Sequence, residues 1–224
     1  ILQGGDGGME YPMATLITGN RPLGSLIGVS VHELMHSWYQ GVLGTNESHY
    51  PWMDEGFTSY ASSLIMKQIN DPESNRDPFA GNYVGYRAFK QSGMEEPLCT
   101  HADHYDSNRA YGVGAYVKGS IYLHQLGYII GDDKLNQTML RYFNTWKFKH
   151  PNALDFIRIA EMESDMILDW YHEYWIHTTK EIDYAVDTVY GIDEGTIVVL
   201  KKLGRMPMPL DVEVNFKDDP SVMY

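Results

Sequence analysis

His32-Glu33-Leu34-Met35-His36 is the segment that decides the fold, and apolar residues at mostly helical spacing lie on both sides of it. This spacing predicts a helix that has Ser25 as its N-cap and ends at Gly41 or Gly44. The apolar residues of this helix include Val29, Val31, Leu34 and Met35. They predict that the helix is largely buried in the protein core.

The two histidines of this segment are four residues apart, so a helix places them one above the other on the same face. Two imidazoles in this arrangement can bind one Zn²⁺ ion at distances of about 2.0–2.1 Å. Glu33 is rotated away from His32 and His36, and it can therefore approach a water molecule beside the metal, as a general base must. The alternative is an amphipathic helix that carries two half-exposed histidines and no metal.

Glu55 is the candidate for the third protein ligand that a catalytic zinc needs. It is separated from His36 by 18 residues and lies in Trp52-Met53-Asp54-Glu55-Gly56. We expect it in the first turn of a second helix that starts near Asp54 and runs to about Ile69. Two histidines and one glutamate would leave a fourth position for water. The alternative is a carboxylate that the helix dipole favours at a helix start.

Asp54, next to this candidate ligand, has two possible roles. It could cap the N-terminus of the second helix, because aspartate is one of the preferred capping residues. It could instead hold a metal ligand through a hydrogen bond. Its place at the expected start of the helix favours the cap.

The charge and the apolar pattern of the chain argue against several classes of partner. The formal net charge of −13 argues against nucleic acid or an anionic membrane as a main partner, because both require clustered Lys and Arg. No apolar run approaches the roughly 18 residues of a membrane-spanning helix, and the first residues have neither the basic start nor the apolar stretch of a signal peptide. The chain also starts without Met, so we expect a piece of a longer protein.

The rest of the chain divides into a helical part and a strand-rich part. A β-like stretch is expected at 14–18, and further helices at about 112–130, 132–147, 153–163 and 167–178. Gly131 should close the first of these helices, and the stretch 70–107 is mixed. Strands are predicted at 183–190, 196–203 and 210–216. The change near Ile182 gives two expected domains, 1–182 and 183–224.

Three motifs in this order resemble those of the M1 family of zinc aminopeptidases in the gluzincin clan. The first is the HExxH segment followed, after 18 residues, by Glu55 in a WxxEG context. The second is Gly7-Gly8-Met9-Glu10-Tyr11, which is similar to the GxMEN motif of the family. The third is Tyr116-Val117-Lys118-Gly119, which is similar to YxKG. Together the resemblance covers roughly residues 4–180.

The resemblance implies a role for each matching residue. His32, His36 and Glu55 would bind one zinc ion per chain, and Glu33 would activate the water. Tyr116 would stabilise the oxyanion of the intermediate by a hydrogen bond that strengthens as charge develops. Glu10 would bind the α-amine of a peptide with a free N-terminus. Gly7 and Gly8 would allow the backbone to approach that peptide closely.

The implied fold is mainly α, a thermolysin-like metallopeptidase catalytic domain with a few N-terminal strands. The first strands of a β-sandwich domain would follow it. The implied activity is hydrolysis of the N-terminal residue of peptides through a metal-activated water. A non-catalytic binding scaffold, an endopeptidase and an epoxide hydrolase are the alternatives. Tyr11 and Asp54 stand where the family usually has Asn, and Tyr111 either reaches the site or packs beside it, with packing favoured.

Overall fold

The computed structural model describes residues 1–5, 7–215 and 221–223. The chain forms two compact units, Ile1–Thr179 and Lys180–Tyr224. The described part of the first unit is mainly helical, and that of the second contains strands. None of the described helices is both long and apolar enough to cross a membrane.

A small three-stranded sheet begins the first unit. It consists of β1 (Leu2–Gln3), β2 (Gly8–Met9) and β3 (Leu16–Ile17). β3 lies in the middle, parallel to β1 and antiparallel to β2. Gly7 has a φ of +59°, which glycine adopts more readily than other residues, and it leads the chain into β2.

Helix α1 (Leu23–Met35) carries the first four residues of the HExxH segment and has His36 as its C-cap, but its ends differ from those predicted. Pro22 precedes it, and Ser25 lies within its first turn, where its hydroxyl accepts a hydrogen bond from Arg21 at 3.3 Å. The prediction of Ser25 as the N-cap is therefore wrong. The helix also stops before Gly41, because the next backbone N–H groups bond to carbonyls three residues back and tighten the last turn.

α1 is also less buried than predicted. Glu33 is its one buried residue, and Leu34 is 55% exposed. The prediction of a largely buried helix is wrong, since most residues of α1 stay partly exposed and its main contacts are with β2, β3 and the following helix.

The second helical region starts with a π-helical turn, π1 (Trp52–Gly56), which continues directly into α2 (Phe57–Asn70). The mixed stretch beyond it contains α3 (Ala80–Lys90), which the sequence did not predict. Two glycines and the 71% exposed Val84 weaken its apolar pattern, although its Phe89 is buried.

A long helical run follows, made of α4 (Asn108–Gly112), π2 (Val113–Lys118) and α5 (Gly119–Ile130). It starts four residues earlier than predicted, because the Ser107 side chain caps it by accepting from the Ala110 N–H. Its predicted end at Gly131, which has a φ of +85°, is confirmed. The last helices of this unit are α6 (Asp132–Trp146), α7 (Ala153–Ser164) and α8 (Asp169–His177).

α5 lies at the centre of this unit and packs against α2, α3, α6 and both π-helical turns. Aromatic rings fill the space around it, and Trp52 and Tyr122 meet with centroids 5.0 Å apart. Both side chains are fully buried. This core fixes π1 beside π2, and these two turns carry Glu55 and Tyr116.

The second unit contains a hairpin of β4 (Tyr184–Ile192) and β5 (Gly195–Lys202), with a bulge between Val186 and Thr188. A short pair of β6 (Glu213–Val214) and β7 (Val222–Met223) follows. The predicted strand at 210–216 is thus reduced to two residues, since residues 210–212 are irregular. Its predicted end, Phe216, lies outside the described residues.

Candidate metal centre

The two histidines of the HExxH segment point at one spot beside the end of α1. Their Nε2 atoms lie 3.1 Å apart, and their ring planes are nearly perpendicular at 82°. His36 is 2% exposed, so its imidazole has little access to water. The His32 side chain is about one-fifth exposed, so the pair faces a half-open position that a shared partner can fill.

Glu55 completes a triangle of possible ligand atoms. Its Oε2 lies 3.1 Å from His32 Nε2 and 3.3 Å from His36 Nε2. Three corners of a tetrahedron with zinc–ligand distances of about 2.0–2.1 Å are about 3.3 Å apart. Both the spacing and the two-histidine, one-carboxylate donor set therefore fit zinc.

The electrostatics of this triangle favour a positive charge. Burial alone would lower the pKa of His36, but hydrogen bonds and charge from Asp54 and Glu55 raise it to about 11. Burial alone would raise the pKa of Glu55, but hydrogen bonds from the two histidines lower it to about 2. A metal ion supplies the same positive charge, and it binds the histidines in their neutral form.

Asp54 holds His36 and does not cap a helix. Its Oδ1 lies 2.7 Å from His36 Nδ1, and the residue is 2% exposed. Neither π1 nor α2 receives a capping hydrogen bond from a side chain. The favoured interpretation from the sequence is therefore wrong, because π1 turns Asp54 inward towards α1. A proton on Nδ1 leaves the Nε2 lone pair free for a metal.

Thr58 is a contact of the site that the sequence did not predict. Its hydroxyl oxygen lies 3.2 Å from His36 Nδ1, on the same ring nitrogen that faces Asp54. The sequence did contain a signal for this contact: Thr58 follows Asp54 by four residues, and residues four apart share one helix face.

Glu33 lies beside the metal triangle with an unused oxygen. It is 6% exposed, and its Oε2 is buried without a hydrogen bond to any part of the chain that the structure describes. Burial raises its pKa, although His32 and His36 oppose the shift. Gly8 lies directly against its Oε1, where a Cβ atom would overlap the carboxylate. The unpaired oxygen leaves a position for a hydrogen-bonding ligand.

Tyr116 reaches the same site from π2. Its hydroxyl donates a hydrogen bond to Glu55 Oε1 at 2.5 Å, and its ring stacks on His32 with centroids 5.7 Å apart. Burial and the charge of Glu55 raise its pKa well above the usual range, so it remains a neutral donor. Tyr111 packs against the ring of Tyr116 at 6.2 Å, as the favoured interpretation has it.

Glu10, directly after β2, borders the site on the side of Asp54. Among the described residues, two groups of possible metal ligands have all their atoms within 4.8 Å of one another: His32, His36 and Glu55, and Glu10, His36 and Asp54. The structure thus brings the predicted ligands, Glu33, Tyr116 and Glu10 to one place. Of the two predicted glycines, Gly8 touches Glu33 and Gly7 forms the turn before β2.

Two known proteins with a similar sequence are named as aminopeptidases. Leucine aminopeptidase 2 of Phaeosphaeria nodorum is 31% identical over 159 residues, which are 67% of this chain and 25% of that protein. Aminopeptidase B of Mus musculus is 29% identical over 84% of this chain and 28% of its own length. The chain thus spans between a quarter and a third of these two relatives.

A solved structure has the same fold. It is an M1 zinc metallopeptidase mutant from Deinococcus radiodurans bound to a Tyr-Ser-Ala substrate, with a TM-score of 0.60 and 19% identity. The match covers 75% of this chain and 36% of that one. The mainly α, metallopeptidase-type fold predicted from the sequence is thereby confirmed. The model of the Peptidase family M1 domain also matches residues 14–175. This chain therefore belongs to peptidase family M1.

Proposed function

We propose that this chain carries the catalytic centre of a zinc-dependent aminopeptidase, which removes the N-terminal residue of peptides. The observation that carries the proposal is the triangle of His32, His36 and Glu55, with ligand atoms 3.1–3.3 Å apart. Two further side chains flank this triangle: Glu33, whose carboxylate can take up a proton, and Tyr116, whose neutral hydroxyl can donate a hydrogen bond. The names of the two relatives, both aminopeptidases, support the same activity.

One zinc ion per chain would be held by His32, His36 and Glu55. When bound, zinc supplies a Lewis acid that polarises a carbonyl group and lowers the pKa of water. Asp54 and Thr58 hold the His36 ring in one orientation by their contacts with Nδ1. The zinc metallopeptidase among the structural neighbours supports the choice of metal.

Glu33 is the proposed general base. Its buried carboxylate has a raised pKa, which brings its proton affinity closer to neutral pH. It takes a proton from the attacking water and then delivers that proton to the leaving amine. Its unpaired Oε2 is available for this transfer.

Tyr116 is the proposed donor to the oxyanion. Its neutral hydroxyl already donates to a carboxylate oxygen, Glu55 Oε1, at the edge of the site. Moving this hydrogen bond to the substrate oxygen stabilises the negative charge that develops during attack.

Glu10 is the group that favours an exopeptidase. A carboxylate beside the ligand triangle attracts the positively charged α-amine of a free peptide N-terminus. Gly7 has open space where a side chain would lie, so a peptide can approach its backbone closely, and Gly8 makes room for the Glu33 carboxylate beside it. The Tyr-Ser-Ala substrate bound to the Deinococcus enzyme supports a peptide substrate.

Residues 1–182 form the proposed catalytic domain, and 183–224 the first strands of a β-sandwich domain. The antiparallel β4–β5 hairpin supports the second assignment, because sandwiches are built from such pairs. The helical unit that ends at Thr179 supports the first.

The direct test is hydrolysis of an amino-acid arylamide by the zinc-loaded protein, with and without a chelator. Glu33→Gln should lower kcat by about 10²–10⁴-fold, because it removes the general base. Zinc content should stay unchanged in this variant, since Glu33 is outside the ligand triangle. Equal turnover of Glu33→Gln and wild type would exclude the mechanism.

Two of the alternatives predicted from the sequence, a binding scaffold and an endopeptidase, have distinct outcomes in the same assay. Stoichiometric zinc without hydrolysis of any peptide would indicate a binding scaffold. Blocked peptides cleaved as fast as free ones would indicate an endopeptidase. Glu10→Ala discriminates further, since loss of the amine partner should raise KM for free peptides and leave blocked ones unaffected.

A further inference from the structure

Lys118 is a fully buried cation close to the proposed site, and the proposed reaction does not use it. It is 2% exposed, and its Nζ donates to Glu95 Oε1 at 2.7 Å and to the Thr178 carbonyl at 3.3 Å. Burial lowers its pKa, and the Glu95 carboxylate opposes that shift. A buried lysine needs such partners, and these two fix its ammonium group in one place.

Glu95 joins two lysines that belong to different helices. Lys90, at the end of α3, also binds Glu95 and donates to the Thr179 carbonyl. Tyr86 donates to the same carboxylate at 2.7 Å. Burial alone would raise the pKa of Glu95, but these partners lower it, so the carboxylate is charged near neutral pH.

The two lysines differ in their relation to Tyr116. Lys118 lies two residues after Tyr116 in π2, whereas Lys90 lies on another helix. Residues two apart are about 200° apart around an α-helix and somewhat less around the wider π-helical turn, so Lys118 and Tyr116 leave π2 on roughly opposite sides. Tyr116 points at Glu55, and Lys118 points at Glu95. An anchor opposite the tyrosine restrains rotation of the turn about its axis.

We propose that Lys118 is a positioning residue for Tyr116, because its bonds to Glu95 and Thr178 hold π2 in the rotation that aims the Tyr116 hydroxyl at Glu55. This inference rests on the proposed function, in which Tyr116 stabilises the oxyanion. Lys118 does not touch the substrate and acts through the tyrosine.

The test compares Lys118→Met with Lys90→Met, which removes the other lysine of the same carboxylate. Both variants are loaded with zinc, and kcat and KM are measured with an amino-acid arylamide. Lys118→Met should lower kcat by about 10–100-fold, less than the 10²–10³-fold expected for full loss of an oxyanion donor. Its KM should stay within about twofold, and Lys90→Met should change neither constant by more than that. Equal effects of the two variants would overturn the inference.

A double variant separates positioning from general stability. If Lys118 acts through Tyr116, then adding Lys118→Met to Tyr116→Phe should lower kcat no further. Losses that multiply would show that the lysine acts by another route and would overturn the inference. Where Lys118→Met does not fold, Glu95→Gln takes its place, since it removes the charge that holds Lys118 and should give the same non-additive loss.

The outcome also distinguishes this inference from the proposed function. A wild-type protein without arylamide hydrolysis would contradict the proposed function itself. A wild type that depends on Tyr116 but not on Lys118 would contradict the positioning role alone.

Discussion

Helix α1 and the turn π1 supply ligands to the same proposed metal site, yet they are built in different ways. α1 is a regular helix with one buried residue and a 55% exposed Leu34. Every residue of π1 is buried, and its backbone is π-helical. Helical spacing brings the two histidines together, and contacts from Asp54 and Thr58 orient the His36 ring. The direction of Glu55, by contrast, depends on tertiary packing around an irregular turn.

A close backbone contact accompanies this irregular turn. Gly56, at the end of π1, and Gly119, after π2, cross so closely that a Cβ on Gly56 would lie 2.8 Å from Gly119 Cα. This crossing places Glu55 and Tyr116 within hydrogen-bond distance. Rare π-helical turns often occur at functional sites, and here both of them carry candidate site residues.

The largest contrast is expected between Met53→Ala and Leu34→Ala. Met53 is 2% exposed within π1, so its truncation should cost about 2–5 kcal/mol of unfolding free energy through a cavity. Truncation of Leu34, which is 55% exposed on α1, should change the unfolding free energy by no more than about 0.5 kcal/mol. Urea unfolding of both variants measures the difference, and similar losses would contradict the contrast between the two regions.

A smaller effect is expected from adding a methyl group at the glycine crossing. Gly119→Ala should lower the unfolding free energy by about 1–3 kcal/mol, because the new Cβ meets the backbone of Gly56 and Trp52. The matched control is Gly112→Ala in the same helical run, where a Cβ meets nothing within 4 Å. That control should be stabilising by about 0.4–1 kcal/mol. A tolerated Gly119→Ala would show that the crossing is not close-packed.

Asp54→Asn tests how π1 acts on a ligand of α1. The substitution weakens the acceptor for His36 Nδ1, so zinc affinity should fall by about 10–100-fold. Thr58→Val should have a smaller effect, because its contact of 3.2 Å with the same nitrogen is longer. Competition with a chromophoric chelator measures both affinities. An unchanged zinc affinity in Asp54→Asn would show that Asp54 does not support metal binding through His36.

The smallest effect is expected at the start of α1. Ser25 lies inside the helix and caps nothing, so Ser25→Ala should change stability by less than about 0.5 kcal/mol. Asn152 is the matched control, since it forms a full capping box at α7 and its truncation should cost about 1 kcal/mol. A loss in Ser25→Ala as large as in Asn152→Ala would support the original N-cap prediction.

The same contrast explains what the sequence could predict. The four-residue spacing of His32 and His36 and the helix end at Gly131 follow from local rules, and the structure agrees with both. The inward turn of Asp54 and the π-helical turns depend on contacts between distant segments, which no local pattern contains. The early end of α1 and the short β6 likewise depend on hydrogen bonds that the apolar pattern does not specify.

Zinc content tests most directly whether α1 and π1 form one metal centre. The purified chain is loaded with zinc, dialysed and analysed by elemental mass spectrometry, together with Glu55→Ala and the control Glu10→Ala. We expect about one zinc per chain in the wild type and in Glu10→Ala, and clear loss in folded Glu55→Ala, because three protein ligands hold a catalytic zinc. A wild type without zinc, or a Glu55→Ala variant that keeps it, would contradict the proposed centre.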